Sequence, residues 1–353
     1  MNLFNVVLAT DPRGGKGGVA TVVPMYLDAL GIFGQAKFIS THNSNAVFGK
    51  FLPWIVSFFA CFVCVLRNRK SSLIFHLHPG SGFCIVRMLI LSIFLRWMLR
   101  RHVLIYLHTP YLESYLNSKF WNTIIRLIIK TASRTVVLTD YALQLLGRHG
   151  IKKWIRVVPN PYRSKNTSKK IFKRSSDDVL VLTMGRLVDG KGIVETVRSL
   201  AFLPENYKLA IAGEGELESL IIREIEDLRI SHRVALKGWV DDAKRSKLME
   251  DASVFCLPSR VDSFGMSFVE AQCFDLPIVA FAHPPVVEVI SSCRAVFVQE
   301  TTPKVLAEAI EQAHELGKSI EHGSGRSWID ASFGISKVSN LLENLCVEVC
   351  QGD

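Results

Sequence analysis

Short apolar runs of strand length alternate with helical stretches along this chain, and the alternation starts afresh past its middle. The first series has β-type runs at residues 5–9, 73–77, 102–107, 135–138 and 155–158, with its first helix at 18–30. After the polar stretch SKNTSKKIFKRSSDD (164–178) the pattern restarts at 179–184, followed by a helix from Gly192. It continues at 208–212 with a helix from Glu216, then at 234–236, 253–257 and 277–280. Strands separated by helices pair in parallel, with helices covering both sheet faces. Two such series predict an α/β chain of two Rossmann-like domains whose parallel sheets face a cleft. Ligands of such sheets collect at the carboxyl ends of the strands. With 353 residues the chain is long enough for two cores. The expected domains are 1–165 and 175–330, with a helix in 331–353 packing back toward the first.

Charge divides the chain at the same place. Residues 1–173 hold 24 Lys and Arg against 4 Asp and Glu, a balance of +20, and the remainder holds 18 against 28, or −10. A half this basic seeks an anionic partner: nucleic acid, an anionic membrane or a phosphorylated substrate. Its apolar neighbours favour membrane. Residues 51–66 (FLPWIVSFFACFVCVL) end in Arg67-Asn68-Arg69-Lys70, and 83–99 (FCIVRMLILSIFLRWML) contain Arg87 and Arg96 before Arg100-Arg101. Residues 121–130 (WNTIIRLIIK) repeat the theme. The first run is shorter than the roughly 18–20 residues a spanning helix needs. The others carry arginines that are costly at the bilayer centre. Helices lying on the headgroups fit better; core helices with a basic rim, or one anchoring segment at 51–66, are the alternatives. No zinc-finger or RNA-recognition signature supports a nucleic acid partner. The eight cysteines lie mostly in apolar runs, Cys61 and Cys64 among them, and read as reduced core thiols of a cytoplasmic protein.

The segment DPRGGKGGVATVV (11–23) joins the first strand to the first helix and has the composition of a phosphate cradle. It is not an ATP loop, which requires Gly-Lys followed by Ser or Thr; here Ala20 and Thr21 stand where that ending should be. Gly14, Gly15, Lys16, Gly17 and Gly18 are therefore candidates for a donor or acceptor phosphate.

In the second half, Gly185-Arg186-Leu187 follows one strand and Lys191-Gly192 opens the next helix. Read alone, this fits a diphosphate clamp or a solvated basic turn. Gly213-Glu214-Gly215 is a second strand-to-helix turn. The stretch PSRVDSFGMSFVEAQCFDLPIVAF (258–281) combines a strand end, Asp262, a helix starting near Gly265–Met266, and Glu270 within it. Free N–H groups at that helix start can hold phosphate oxygens. Asp262 reads as a ligand carboxylate or an N-cap, and Glu270 as a ligand carboxylate or a surface ion pair. His76 and His78 in FHLHPG lie on one strand face, a structural pair in preference to a metal pair.

These residues resemble the GT-B glycosyltransferases of the family 4 type, retaining enzymes that use nucleotide sugars. The hallmark is a pair of acidic residues separated by seven, here Asp262 and Glu270, followed by an apolar segment containing proline. Arg186 and Lys191 match the family's basic pair, Gly213-Glu214-Gly215 its GxG turn, and Glu288 a later acidic position. His108 in YLHTP looks like the histidine near the transferred sugar, and residues 157–161 (VVPNP) resemble the segment entering the linker. The resemblance implies that Glu270 holds the nucleotide ribose, beside Gly213 and Gly215, and that Asp262 contacts sugar hydroxyls. It implies that Arg186, Lys191, Gly265 and Met266 meet the diphosphate, with His108 at the sugar and no metal or other cofactor. Asp262 replaces the usual Glu, Asp275 a usual Gly, and His283-Pro284-Pro285 a glycine-rich turn.

The implied activity is transfer of a hexosyl or N-acetylhexosaminyl group from a UDP-sugar, favoured over a GDP-sugar. The implied acceptor is a lipid-diphosphate-linked saccharide in bacterial surface-polysaccharide assembly, with the enzyme on the inner face of the plasma membrane. Two other readings share the motifs: a GT-B-like sugar-nucleotide epimerase or phosphorylase, and a non-enzymatic peripheral membrane scaffold.

Overall fold

The computed structural model describes residues 2–13, 17–43, 48–49, 51–164 and 178–352. The expected linker at 164–178 lies, apart from its two end residues, outside them. The chain forms two compact units, Met1–Arg163 with Asp330–Asp353, and Ser164–Ile329.

The first unit runs β1 (Leu3–Thr10), α1 (Gly18–Gly31), β2 (Gln35–His42), α2 (Leu52–Arg67), β3 (Ser72–Leu77) and α3 (Phe83–Ile93). A π-helical turn at Phe94–Met98 extends α3. It continues with β4 (His102–Tyr106), α4 (Leu112–Asn117), α5 (Lys119–Thr131), β5 (Arg134–Val137), α6 (Asp140–Arg148) and β6 (Ile155–Val157). The six strands are parallel in the order β2-β1-β3-β4-β5-β6. Connections run outward in opposite directions from β1 and β3, so the strand order reverses between them. In such sheets that reversal opens a crevice at the carboxyl edge.

The second unit runs β7 (Val179–Met184), α7 (Ile193–Ser199), β8 (Tyr207–Ala212), α8 (Glu218–Asp227), β9 (Val234–Gly238) and α9 (Asp242–Asp251). Then follow β10 (Val254–Leu257), α10 (Met266–Cys273), β11 (Ile278–Phe281), α11 (Pro284–Val287), β12 (Ala295–Val298) and α12 (Pro303–Gly317). Its parallel sheet has the order β12-β11-β10-β7-β8-β9, reversing between β7 and β10. The division between units falls within α13 (Ser324–Phe333), and α14 (Ile335–Gln351) belongs to the first unit. There Ser339 Oγ donates to the Ala29 carbonyl of α1 at 2.8 Å, and Glu348 pairs with Arg134 at 2.9 Å.

Continuous apolar runs become the inner strands because parallel strands are covered on both faces; VLVLTM and VFCL are buried almost throughout. The sequence pattern missed two strands, β2 and β12. Both are sheet edges with one neighbour each, so QAKFISTH keeps polar residues and alternating exposure, and AVFV is only four residues long.

The basic apolar segments of the first unit all become helices of one layer. Cys61, Cys64, Met88, Leu91, Ile125 and Ile128 join one buried core with β1, β3 and β4. Burial pushes the Cys61 thiol upward, as expected of an inert core thiol. Trp54 of α2 reaches α3, its Nε1 donating to the Arg87 carbonyl at 3.0 Å. Among the described residues no helix is long and apolar enough to cross a membrane. The outer face of α2 is nonetheless apolar: Leu52, Ile55, Phe59, Phe62 and Leu66 recur at helical spacing and are all exposed, Phe59 by 70%.

Candidate active site

The crevice of the second sheet is built by two loops that leave adjacent strands. After β7 the chain passes Gly185–Lys191 into α7, and after β10 it passes Pro258–Gly265 into α10. The loops are stitched together: Arg260 N–H donates to the Gly190 carbonyl at 2.8 Å. At Gly192 (φ +74°) a Cβ would lie 2.5 Å from Pro258 Cγ, so only glycine permits this approach. Across the join, Lys191 Nζ donates to both carboxylate oxygens of Asp262, at 2.8 and 2.9 Å. Both side chains are largely buried, 11% and 15% exposed. From beyond β11, His283 Nε2 donates to the Asp262 carbonyl at 3.2 Å.

Three residues after Asp262, Gly265 (φ +85°) turns the chain into α10. Its absent Cβ would lie 2.6 Å from the Phe268 ring. No side chain caps this helix, so the first-turn N–H groups and the positive end of the helix dipole, starting at Met266, stand at the sheet's carboxyl edge. Glu270 is in the second turn, 9% exposed, and accepts from Arg245 Nη1 of α9 at 2.7 Å.

Gly213 and Gly215 have a packing role that the motif alone did not disclose. A Cβ on Gly213 would lie 1.8 Å from the Gly185 carbonyl, and one on Gly215 2.2 Å from that of Leu187. The turns after β7 and β8 thereby touch, with Leu187 N–H donating to the Glu214 carbonyl at 2.9 Å. Arg186 rides on that turn, exposed; its carbonyl accepts from the Val188 N–H at 2.9 Å, and its guanidinium has no hydrogen bond or ion pair to a described residue. Glu288 is exposed as well. The second unit thus brings together Lys191, Asp262 and the α10 start, with Arg186 on the adjoining turn.

In the first unit, His108 follows β4 and is 7% exposed. Its Nε2 lies 2.8 Å from His78 Nδ1, a partner that the sequence does not reveal. Burial holds the His108 ring neutral, with a pKa of about 3. His76, the other histidine of FHLHPG, bonds the Tyr106 hydroxyl at 2.8 Å and Asn5 Oδ1 at 3.0 Å. Gly17 caps α1 and Gly18 begins it. A Cβ at either would meet nothing within 4 Å, so crowding does not require glycine there. Gly14, Gly15 and Lys16 lie outside the described residues.

Sequence reasoning missed Arg245, which sits in DDAKRSKLMED and reads there as one charge among many on a solvated helix. The departures at 275 and 283 acquire physical reasons. Asp275 keeps a left-handed backbone (φ +53°), the conformation a glycine would adopt. Its carboxylate accepts from Gly323 and Gly325 N–H at 2.6 and 2.9 Å and pairs with Arg294 at 3.2 Å. It anchors the segment entering α13.

The fold matches solved structures over its whole length. A crystal structure of Anabaena Alr3699/HepE in complex with UDP-glucose aligns with a TM-score of 0.75, at 16% identity, over 97% of this chain and 99% of that one. The architecture is GT-B, two parallel α/β units. Residues 164–322 match the family described as glycosyl transferases group 1. An uncharacterized glycosyltransferase of Methanocaldococcus jannaschii, MJ1607, is 26% identical over 167 residues, 46% of this chain and 43% of that protein. An uncharacterized 41.2 kDa protein in the cps region of Klebsiella pneumoniae is 25% identical over 300 residues, 78% of this chain and 81% of that one. The chain spans about half the length of the archaeal relatives it matches.

Proposed function

We propose that the chain is a retaining glycosyltransferase that moves a hexosyl or N-acetylhexosaminyl group from a UDP-sugar to a hydroxyl of a lipid-diphosphate-linked saccharide. The observation that carries this reading is the meeting of Lys191, Asp262 and the α10 start at the strand-order reversal of the second sheet. The bond from the anomeric carbon to the diphosphate breaks, its electrons stay on the phosphate oxygen, and the acceptor hydroxyl oxygen takes the carbon on the same face as its proton passes to that departing oxygen. The hard part is the negative charge developing on the leaving group. Lys191, Arg186 and the helix dipole supply fixed positive charge there, which is worth most where water is excluded. Asp262 aligns Lys191 and reads sugar hydroxyls; Glu270, held by Arg245, takes the ribose. The Anabaena neighbour crystallised with UDP-glucose supports a nucleotide-sugar donor.

Calorimetric titration with UDP and GDP tests the reading. Saturable UDP binding, stronger than GDP binding and lost in Arg186→Ala, is expected. Binding of neither nucleotide refutes it.

The acceptor side of the proposal rests on the first unit. The exposed apolar stripe of α2 ends at Arg67, Arg69 and Lys70; exposed Trp97 and Met98 at the end of the next helix are followed by Arg100. Apolar side chains beside cations suit an anionic bilayer surface on its cytoplasmic side. The cps-region relative supports a surface-polysaccharide setting. Flotation with vesicles containing phosphatidylglycerol should recover the protein, and neutral vesicles should recover much less. Each cation near such a surface contributes about 1 kcal/mol. Replacing Arg67, Arg69 and Lys70 with glutamine should therefore weaken binding by about two orders of magnitude. Equal recovery on neutral and anionic vesicles counts against the assignment.

A further inference from the structure

His78 and His108 stand at the carboxyl edge of the first sheet, beside its strand-order reversal. The His78 N–H donates to the Leu8 carbonyl of β1 at 2.9 Å, across that reversal. The ring is caged. It stacks on Tyr106 at 4.2 Å and 10°, and the edge of Tyr26 meets it at 4.6 Å. Tyr26 is itself held by Asn160, its hydroxyl donating to Oδ1 at 3.1 Å.

Two neutral imidazoles whose nitrogens lie 2.8 Å apart share one proton, one ring donating and the other accepting. The far side of His78 decides which. Its Nε2 is buried and has no hydrogen-bond partner among the described residues. Were His108 the donor, His78 would carry its own proton on that Nε2, a buried N–H with no receiver. With His78 donating from Nδ1, its Nε2 is a bare lone pair, the less costly of the two to leave unmatched. His76 shows the opposite arrangement. Its Nε2 faces Asn5 Oδ1, which only accepts, so Nδ1 receives the Tyr106 hydroxyl proton.

We propose that His78 is a positioning residue that fixes neutral His108 as its Nδ1–H tautomer, so that His108 meets a ligand oxygen as a hydrogen-bond donor and not as a base. Only the identity of that ligand, a donor-sugar hydroxyl, rests on the proposed function; the tautomer stands on the first unit alone. A base at this position would need an unprotonated nitrogen facing outward, and the one His108 has is already used by His78.

Long-range proton–nitrogen correlation spectra of protein labelled with ¹⁵N-histidine test this, with His76, His78 and His108 assigned by single His→Gln substitutions. At neutral pH, His78 and His108 should each show a protonated Nδ1 and an unprotonated Nε2, and His76 the reverse. A proton on His108 Nε2 in the unmodified protein overturns the proposal, whether or not any variant folds. His78→Leu should leave His108 exchanging between tautomers, and His78→Asn, whose amide can still donate from the Nδ1 position, should restore the single form. A pure Nδ1–H His108 in His78→Leu would show that His78 does not position it. UDP titration of the same samples separates the two ideas: failure to bind UDP removes the donor reading and leaves the tautomer assignment standing.

Discussion

Alanine at Lys191 is expected to lower sugar transfer by about 10²–10³-fold, the cost of removing one preorganised group from a developing oxyanion, about 2.7–4 kcal/mol. Because Lys191 is bound to Asp262 at 2.8 Å in a largely buried pair, the same change also affects the fold. It strands a carboxylate that is only 15% exposed. Breaking a buried pair costs about 3–5 kcal/mol; the remaining exposure here places the loss lower, at about 2 kcal/mol. The two effects separate in a double-mutant cycle. Asp262→Asn in the Lys191→Ala background removes the stranded charge, so stability should recover while transfer stays well below that of Asp262→Asn alone. Transfer equal to that of Asp262→Asn alone would mean that Lys191 serves the fold alone. Arg186→Ala provides the complement. Its guanidinium bonds no described residue, so stability should hold within about 0.5 kcal/mol while transfer falls. Glu270→Ala should also abolish transfer, since it removes the carboxylate assigned to the ribose, while Arg245 keeps Asp242 as a counter-ion at 3.1 Å. Single-turnover assays with UDP-sugars, paired with urea titrations, read both quantities.

The fold was legible to the extent that strands are buried on both faces. A parallel inner strand has to be a continuous apolar run, so β1, β3, β7, β8 and β10 stand out in the sequence. Edge strands β2 and β12 are half-covered and lose that mark. Motif spacing brought Lys191, Asp262, Gly265 and Glu270 into one half of the chain, but spacing along the chain says nothing of partners across a sheet. The sequence offers Lys191 to a diphosphate and Asp262 to a sugar; in the fold each is the other's counter-ion. Likewise Arg245 comes from a neighbouring helix, 25 residues before Glu270, and no local pattern marks it. His78 was visible as half of His-x-His, yet its partner is His108, just past the end of the neighbouring strand, a relation across the sheet rather than a motif.

Gly213→Ala is expected to be the most destabilising single-methyl change in the second unit, at about 4 kcal/mol or more, a magnitude reached only by a few mechanisms. Two of them act at once here. The residue has φ +149°, where a side chain is strained, and an added Cβ would lie 1.8 Å from the Gly185 carbonyl oxygen. That neighbour is backbone, so no rotamer change relieves the overlap. The turns after β7 and β8 would have to separate, weakening the Leu187 N–H bond to Glu214 and the Gly213 N–H bond to Gly238, both under 3 Å. Gly238 supplies the control on the same sheet edge. It too has positive φ, +60°, but a Cβ there meets nothing within 4 Å. Gly238→Ala should therefore cost only the left-handed strain, about 1–2 kcal/mol. In urea, where the slope is about 1–3 kcal/mol per molar, Gly213→Ala should lower the midpoint by more than 1 M and Gly238→Ala by clearly less. Equal shifts in the two variants would mean that backbone strain alone sets the requirement for glycine. A larger shift at 213 assigns the excess to contact between the turns, and the turn it displaces is the one that carries Arg186.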